Sequence, residues 1–218
     1  MRNKQNIKFA FYVSGGASRL IKLIEQSSRI LLDTFLVVND SAPNVHLAVM
    51  LTEKNIQYIE FDFADLGLKE KEKNNYLSNL LLQKFKEYNI NYCFCFGGRI
   101  LKGDLLTTYK NKIINFHPSV LPTFPGLKSI DQAVNKNAFL MGNTAHFIDE
   151  GVDTGPIIMQ NIIHSTSFSD YESVLALQLQ MIEQIYHWII DERLIINNYK
   201  VKVKNADYST AIFYPKLE

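Results

Sequence analysis

Asn115 and His117 lie two positions apart in the segment Ile-Ile-Asn-Phe-His-Pro-Ser-Val-Leu-Pro-Thr-Phe-Pro-Gly, residues 113–126. Residues 112–115 read as a short strand, and extended backbone turns alternate side chains to one face. An amide and an imidazole would then face the same way, as hydrogen-bonding groups presented to one bound species. Pro118, Pro122 and Pro125 stiffen the chain that follows, and loops of this kind tend to carry catalytic groups. The same residues fit equally well a strand end running into a proline-rich loop, with His117 no more than a satisfied hydrogen-bonding side chain. A second segment, residues 142–160, reads as strand, acidic turn, strand. Asp149, Glu150 and Asp153 cluster in that turn, with Gly151 and Gly155 expected to supply positive φ. Asp149 and Glu150 suit an ordinary acidic turn. Asp153 differs because it precedes Thr-Gly-Pro, a tight start to the next strand.

The elements that must position these residues follow from hydrophobic periodicity. Strands are expected over 7–13, 34–38, 57–61, 92–96 and 112–115, then over 143–148 and 156–163. Helices are expected after the turn Ser14-Gly15-Gly16-Ala17-Ser18, with Leu20, Leu23 and Ile24 inward, and over 45–53 and 129–135. A long helix over 69–88 carries a stripe of Tyr76, Leu80, Leu81 and Phe85. Another spans 169–190, with Ser169-Asp170 as N-cap and Glu172 at the capping-box spacing. The tail from Leu194 suggests a short hairpin. Strands alternating with helices predict an α/β fold: a mostly parallel, twisted sheet with helices on both faces and a Rossmann-like N-terminal half. Such sheets bind ligands beyond the carboxyl ends of their strands, which singles out the loops 14–19, 97–101 and 115–126.

A chain of 218 residues buries roughly three quarters of its unfolded surface. One domain is therefore expected over 1–218, with a short tail 195–218. With 21% charged residues and a net charge of +1, neither nucleic acid nor a membrane surface is expected as partner. No signal peptide or membrane span is expected. Cys93 and Cys95 share one face of a strand, which suits two buried, unpaired thiols and a reducing cytoplasm. The five histidines, at 46, 117, 146, 164 and 187, show no metal-ligand spacing, so no metal is expected.

The pattern N-x-H-P-S-x-L-P-x-F-x-G from Asn115, followed by H-F and then D-x-G-P-I-I-x-Q ending at Gln160, resembles the folate-dependent formyltransferase superfamily. Within it the pattern is most similar to the phosphoribosylglycinamide formyltransferases of purine synthesis. The separation of Asn115 and Asp153, 153 − 115 = 38 positions, matches that family. The resemblance runs from Val13 to about Leu194, and it implies a nucleotide- or phosphate-binding half about 1–110 and a catalytic half about 90–194. It implies the formyltransferase fold and formyl transfer from 10-formyltetrahydrofolate, a co-substrate, to the amine of a phosphorylated small molecule, with no metal. It implies Asn115, His117 and Asp153 as catalytic residues. Asn115 and a charged His117 would donate to the tetrahedral oxyanion, while Asp153 holds His117 charged and helps move the amine proton. Ala17, Ser18 and Arg19 fall where the substrate phosphate is held, and Arg99, Ile100, Leu101 and Asp149 where folate is held. His146 falls in the same region, although its alternation with Thr144 also suits a packed, structural histidine. The family's ribose-binding glutamate aligns near Gln178, or at Glu183 with a gap; each also suits a plain surface position. A monomer or homodimer is expected.

Two loops depart from the family pattern. Ala17 and Arg19 replace a glycine and an asparagine in the phosphate loop, and Phe96-Gly97-Gly98 replaces Gly-Phe-Met before Arg99. The altered phosphate loop and Gln178 keep open a formyltransferase for an amino sugar nucleotide or another amine; a formyltetrahydrofolate hydrolase is a further reading, and a non-catalytic folate or nucleotide binder is opposed by the intact Asn115, His117 and Asp153. The first two relatives commonly carry further domains, for which this sequence has no evident room.

Overall fold

The computed structural model describes residues 6–165 and 171–214. In chain order the elements are β1 (Phe9–Val13), α1 (Ser18–Glu25), β2 (Thr34–Asn39), α2 (Val45–Glu53), β3 (Gln57–Glu60) and α3 (Glu70–Glu87). Then come β4 (Tyr92–Phe96), α4 (Asp104–Thr108), β5 (Ile113–His117), α5 (Ser129–Asn135), β6 (Leu140–Phe147), β7 (Ile157–His164), α6 (Tyr171–Ile190), β8 (Leu194–Asn197) and β9 (Lys200–Val203). Seven strands form a mostly parallel sheet in the order β3-β2-β1-β4-β5-β6-β7, and β8 pairs with β9 as the expected hairpin. The β1–β2, β1–β4, β2–β3 and β4–β5 pairs are all parallel. The chain winds outward from β1 to β3 and then returns to β4, so the order reverses between β1 and β4, the position at which open α/β sheets bind ligands. Two compact units result. Unit one holds the residues up to Phe116 with His146–Gly155; unit two holds His117–Ala145 and the residues from Pro156 onward.

In unit one, all five residues of β1 are fully buried, as an interior parallel strand requires. Its even-numbered face, Ala10 and Tyr12, joins Leu36, Val38, Cys93 and Cys95 against Leu77, Leu81 and Phe85 of α3. The odd-numbered face is a ladder of rings: Phe9, Phe11, Phe94, Phe96 and Phe116 meet at centroid distances of 5.4–5.9 Å. The inward stripe of α3 is Leu77, Ser78, Leu81 and Phe85, one position along from the expected Tyr76 and Leu80. Tyr76 is exposed and packs edge-on to Phe61 and Phe63 instead. The short helix α4 has no counterpart in the sequence expectation.

In unit two, α6 buries Val174, Met181, Ile182, Ile185 and Ile189. Its expected cap at Ser169, Asp170 and Glu172 lies outside the described residues and side chains. Gly142 has no room for a Cβ, which would overlap the Asn161 carbonyl, so β6 and β7 approach closely there. A buried amide network fills the space below. Gln178 Nε2 donates to Asn143 Oδ1 at 2.7 Å, and Asn143 Nδ2 donates to Val174 O at 3.0 Å.

Cys93 and Cys95 are buried free thiols on one face of β4, as expected. Burial pushes the Cys95 thiol up from its ordinary 9.0 to about 12. The folded state therefore favours the neutral thiol. Its contribution to stability is complete below pH 9 and is lost as pH rises toward 12, at up to about 1.4 kcal/mol per pH unit. Native protein at pH 8 should resist thiol-specific reagents until unfolded. Above pH 9 it should lose stability faster than a Cys95→Ala variant, as read by denaturant titration at several pH values.

Candidate active site

β5 ends in Ile-Asn-Phe-His, and its register against β4 places Asn115 opposite Cys95. The carboxamide of Asn115 meets His146 near the end of β6: Asn115 Nδ2 lies 3.2 Å from His146 Nε2. His146 Nδ1 lies 2.9 Å from its neighbour's carbonyl, Phe147 O. A carbonyl oxygen only accepts, so Nδ1 carries a proton. In the neutral ring Nε2 is then the acceptor and Asn115 the donor. Asp153 Oδ1 lies 3.5 Å from the same Nε2. Protonation of His146 would turn that nitrogen into a donor aimed at the carboxylate. Unit one thus gathers Asn115, His146 and Asp153 into one chain of contacts, with His146 in the middle and 2% exposed.

The turn that carries Asp153 is built from its own polar atoms. Asp149 Oδ1 accepts from Gly151 N at 3.1 Å and from Thr154 Oγ1 at 2.8 Å. The expectation that Gly151 and Gly155 adopt positive φ is corrected: Asp153 does so, at φ 54°. The glycines serve close approach instead, since a Cβ would strike the Thr154 side chain at Gly151 and Phe147 O at Gly155.

His117 is nearly buried and turns into its own loop, with Nε2 2.8 Å from Phe124 O. By the same acceptor argument that nitrogen is protonated. Ala17, Ser18 and Arg19 form the start of α1. Ala17 caps it in the left-handed region, φ 52°, where a non-glycine residue is uncommon. Ser18 is exposed. Arg19 reaches across to β4, where Nη2 donates to Phe96 O at 3.2 Å and the guanidinium lies 4.4 Å over the Phe96 ring. Ser14 ties the loops after β1 and β4 together, accepting from Gly98 N at 3.2 Å.

Of the residues matched to folate, Ile100 is exposed, while the Leu101 side chain belongs to the core. Arg99 is engaged in unit one. Its Nε donates to Asp40 Oδ2 at 2.7 Å, its Nη1 to Glu70 Oε2 at 2.9 Å, and its guanidinium stacks on Phe63. Asp40 is the hub that the sequence does not reveal. Its side chain is 2% exposed and also accepts from Tyr12 OH at 2.9 Å. Nothing local flags a carboxylate whose partners lie 28 and 59 positions away. The reading of Gln178 as a plain surface position is corrected: it is fully buried within unit two, where it donates to Asn143.

The model of the formyl transferase family matches residues 7–188. This chain belongs to that family. It is 38% identical over 100 residues to a phosphoribosylglycinamide formyltransferase of Bacillus subtilis, across 46% of this chain and 51% of that protein. The matched stretch thus spans about half the length of that relative. It is 42% identical over 86 residues to a formyltetrahydrofolate deformylase of Haemophilus influenzae, across 39% of this chain and 31% of that protein. Among solved structures, phosphoribosylglycinamide formyltransferase from Bacillus halodurans superposes with a TM-score of 0.65 at 28% identity, covering 85% of this chain and 94% of that one. Glycinamide ribonucleotide transformylase 1 from Symbiobacterium toebii reaches 0.78 at 23% identity, covering 93% and 97%, a likeness of fold.

At Gly97, within unit one, a Cβ would overlap the ring of Tyr12. Gly97→Ala should therefore cost about 1–3 kcal/mol. In a Tyr12→Leu background the same change should cost clearly less, giving a coupling free energy in a double-mutant cycle of denaturant unfolding.

Proposed function

We propose that this chain transfers a formyl group from 10-formyltetrahydrofolate to the primary amine of glycinamide ribonucleotide. Asn115, His117 and Asp153 are the catalytic residues, and His146 holds Asn115 in place. The observation that carries this reading is the contact chain Asn115–His146–Asp153 at the end of β5 in a formyl transferase family member. The likeness to proteins named phosphoribosylglycinamide formyltransferase supports the choice of acceptor.

In this scheme the amine lone pair attacks the formyl carbon, a C–N bond forms, and the carbonyl π pair moves onto oxygen. Collapse restores the carbonyl and breaks its bond to N10 of the folate; the proton leaving the amine ends on N10. Asn115 Nδ2 has two hydrogens. One is directed at His146, and the second serves the developing oxyanion, where a preorganised donor acts most strongly. His117, when charged, adds a charge-assisted donor. Asp153 receives or relays the amine proton. The N–H groups opening α1 at Ala17–Arg19 suit the substrate phosphate, because a helix start favours an anion. The 99–101 backbone and the Asp149 turn suit the folate.

The likeness to a formyltetrahydrofolate deformylase supports a second reading, in which water replaces the amine at the same groups. Purified protein should release tetrahydrofolate from 10-formyltetrahydrofolate only when glycinamide ribonucleotide is present, with one formylated amine per folate released. Release without amine, yielding formate, would establish the deformylase reading. Release only with a different amine would move the acceptor assignment.

A further inference from the structure

Gln160, on β7, forms no part of the chemistry above, yet its amide does two things at once. Nε2 donates to Leu121 O at 2.9 Å and to Thr144 Oγ1 at 2.8 Å. Thr144 is fully buried on β6. Its hydroxyl donates to Ser119 O at 2.7 Å and accepts from Leu121 N at 2.9 Å. With the bond from Gln160, its single donor and both acceptor positions are used. The backbone held this way is the turn that begins at His117: Ser119 N donates back to His117 O at 2.9 Å. Beyond it, Ser119 Oγ donates to Thr123 O at 2.6 Å, and Phe124 O receives the His117 ring. The loop fastens itself at its tip, and at its base it depends on Thr144 and Gln160.

We infer that Gln160 is a positioning residue for His117, acting through Thr144 and the Ser119–Leu121 backbone. The orientation of Gln160 is fixed chemically, since Leu121 O accepts only. A carboxylate at position 160 would therefore oppose that oxygen rather than bind it. The effect on turnover rests on the proposed role of His117; the effect on His117 itself does not. Small misplacements of a catalytic group are costly, so removing the clamp should slow the bond-making step more than it weakens binding.

The test compares Gln160→Leu and Gln160→Glu with wild type by formyl-transfer kinetics and by NMR of the histidine rings. Both variants should lose kcat by about 10- to 100-fold with KM for both substrates little changed. The His117 ring resonances should move while those of His46 and His187 stay in place. Thr144→Val should reproduce the loss and Thr144→Ser should largely restore it, which keeps the test available if a Gln160 variant does not fold. Undiminished kcat in a folded variant, or an unmoved His117 ring, overturns the inference. A wild type that does not transfer formyl groups would refute the proposed reaction, and the ring resonances would still decide the role of Gln160.

Discussion

Phe147 O can only accept a hydrogen bond, and that one-sidedness orders the candidate active site. It requires a proton on Nδ1 of His146, which leaves Nε2 of the neutral ring as an acceptor for Asn115. The carboxamide of Asn115 is thereby given an orientation, with nitrogen toward the imidazole and a second N–H to spare. Asp153 stands at the same ring nitrogen. A single imidazole thus couples the orientation of a neutral donor to the charge of a carboxylate. The turn that presents Asp153 is made rigid by Asp149 and by glycines that cannot carry a side chain.

Each compact unit braces its own part through buried polar side chains. In unit one, Asp40 joins Tyr12 and Arg99, tying the ends of β1 and β2 to the loop after β4. A guanidinium held by two carboxylates and a ring acts as a brace within unit one. In unit two, the Thr144–Gln160 clamp serves the loop that follows β5. A buried hydrogen bond adds only about 1 kcal/mol net, whereas an unmet buried group costs more. These networks therefore specify geometry more than they add stability.

Much of the sheet was legible in the sequence because interior parallel strands are continuous apolar runs; β1 and β4 stand out for that reason. Helix faces were harder. In α3 both Tyr76–Leu80 and Leu77–Leu81 have helical spacing, and only the sheet beneath decides between them. The place of Asn115 and His117 at the end of a strand was legible from the apolar run before them. The central place of His146 was not, because a strand histidine is as often packing as chemistry. Asp40 was invisible, its partners being distant in sequence. Gln178 looked like a surface position, but β6 and α6 bury it against Asn143. The 149–155 turn misled for a related reason: glycine suggests positive φ, yet here it marks close approach, and Asp153 takes the left-handed conformation.

The central claim is that the Asn115 amide stabilises the oxyanion formed in transfer, and its removal is the most direct test. In the acceptor-dependent assay, Asn115→Ala should lose about 10²–10³ in kcat while retaining the wild-type unfolding free energy within about 1 kcal/mol. Turnover close to wild type in that folded variant would contradict the account.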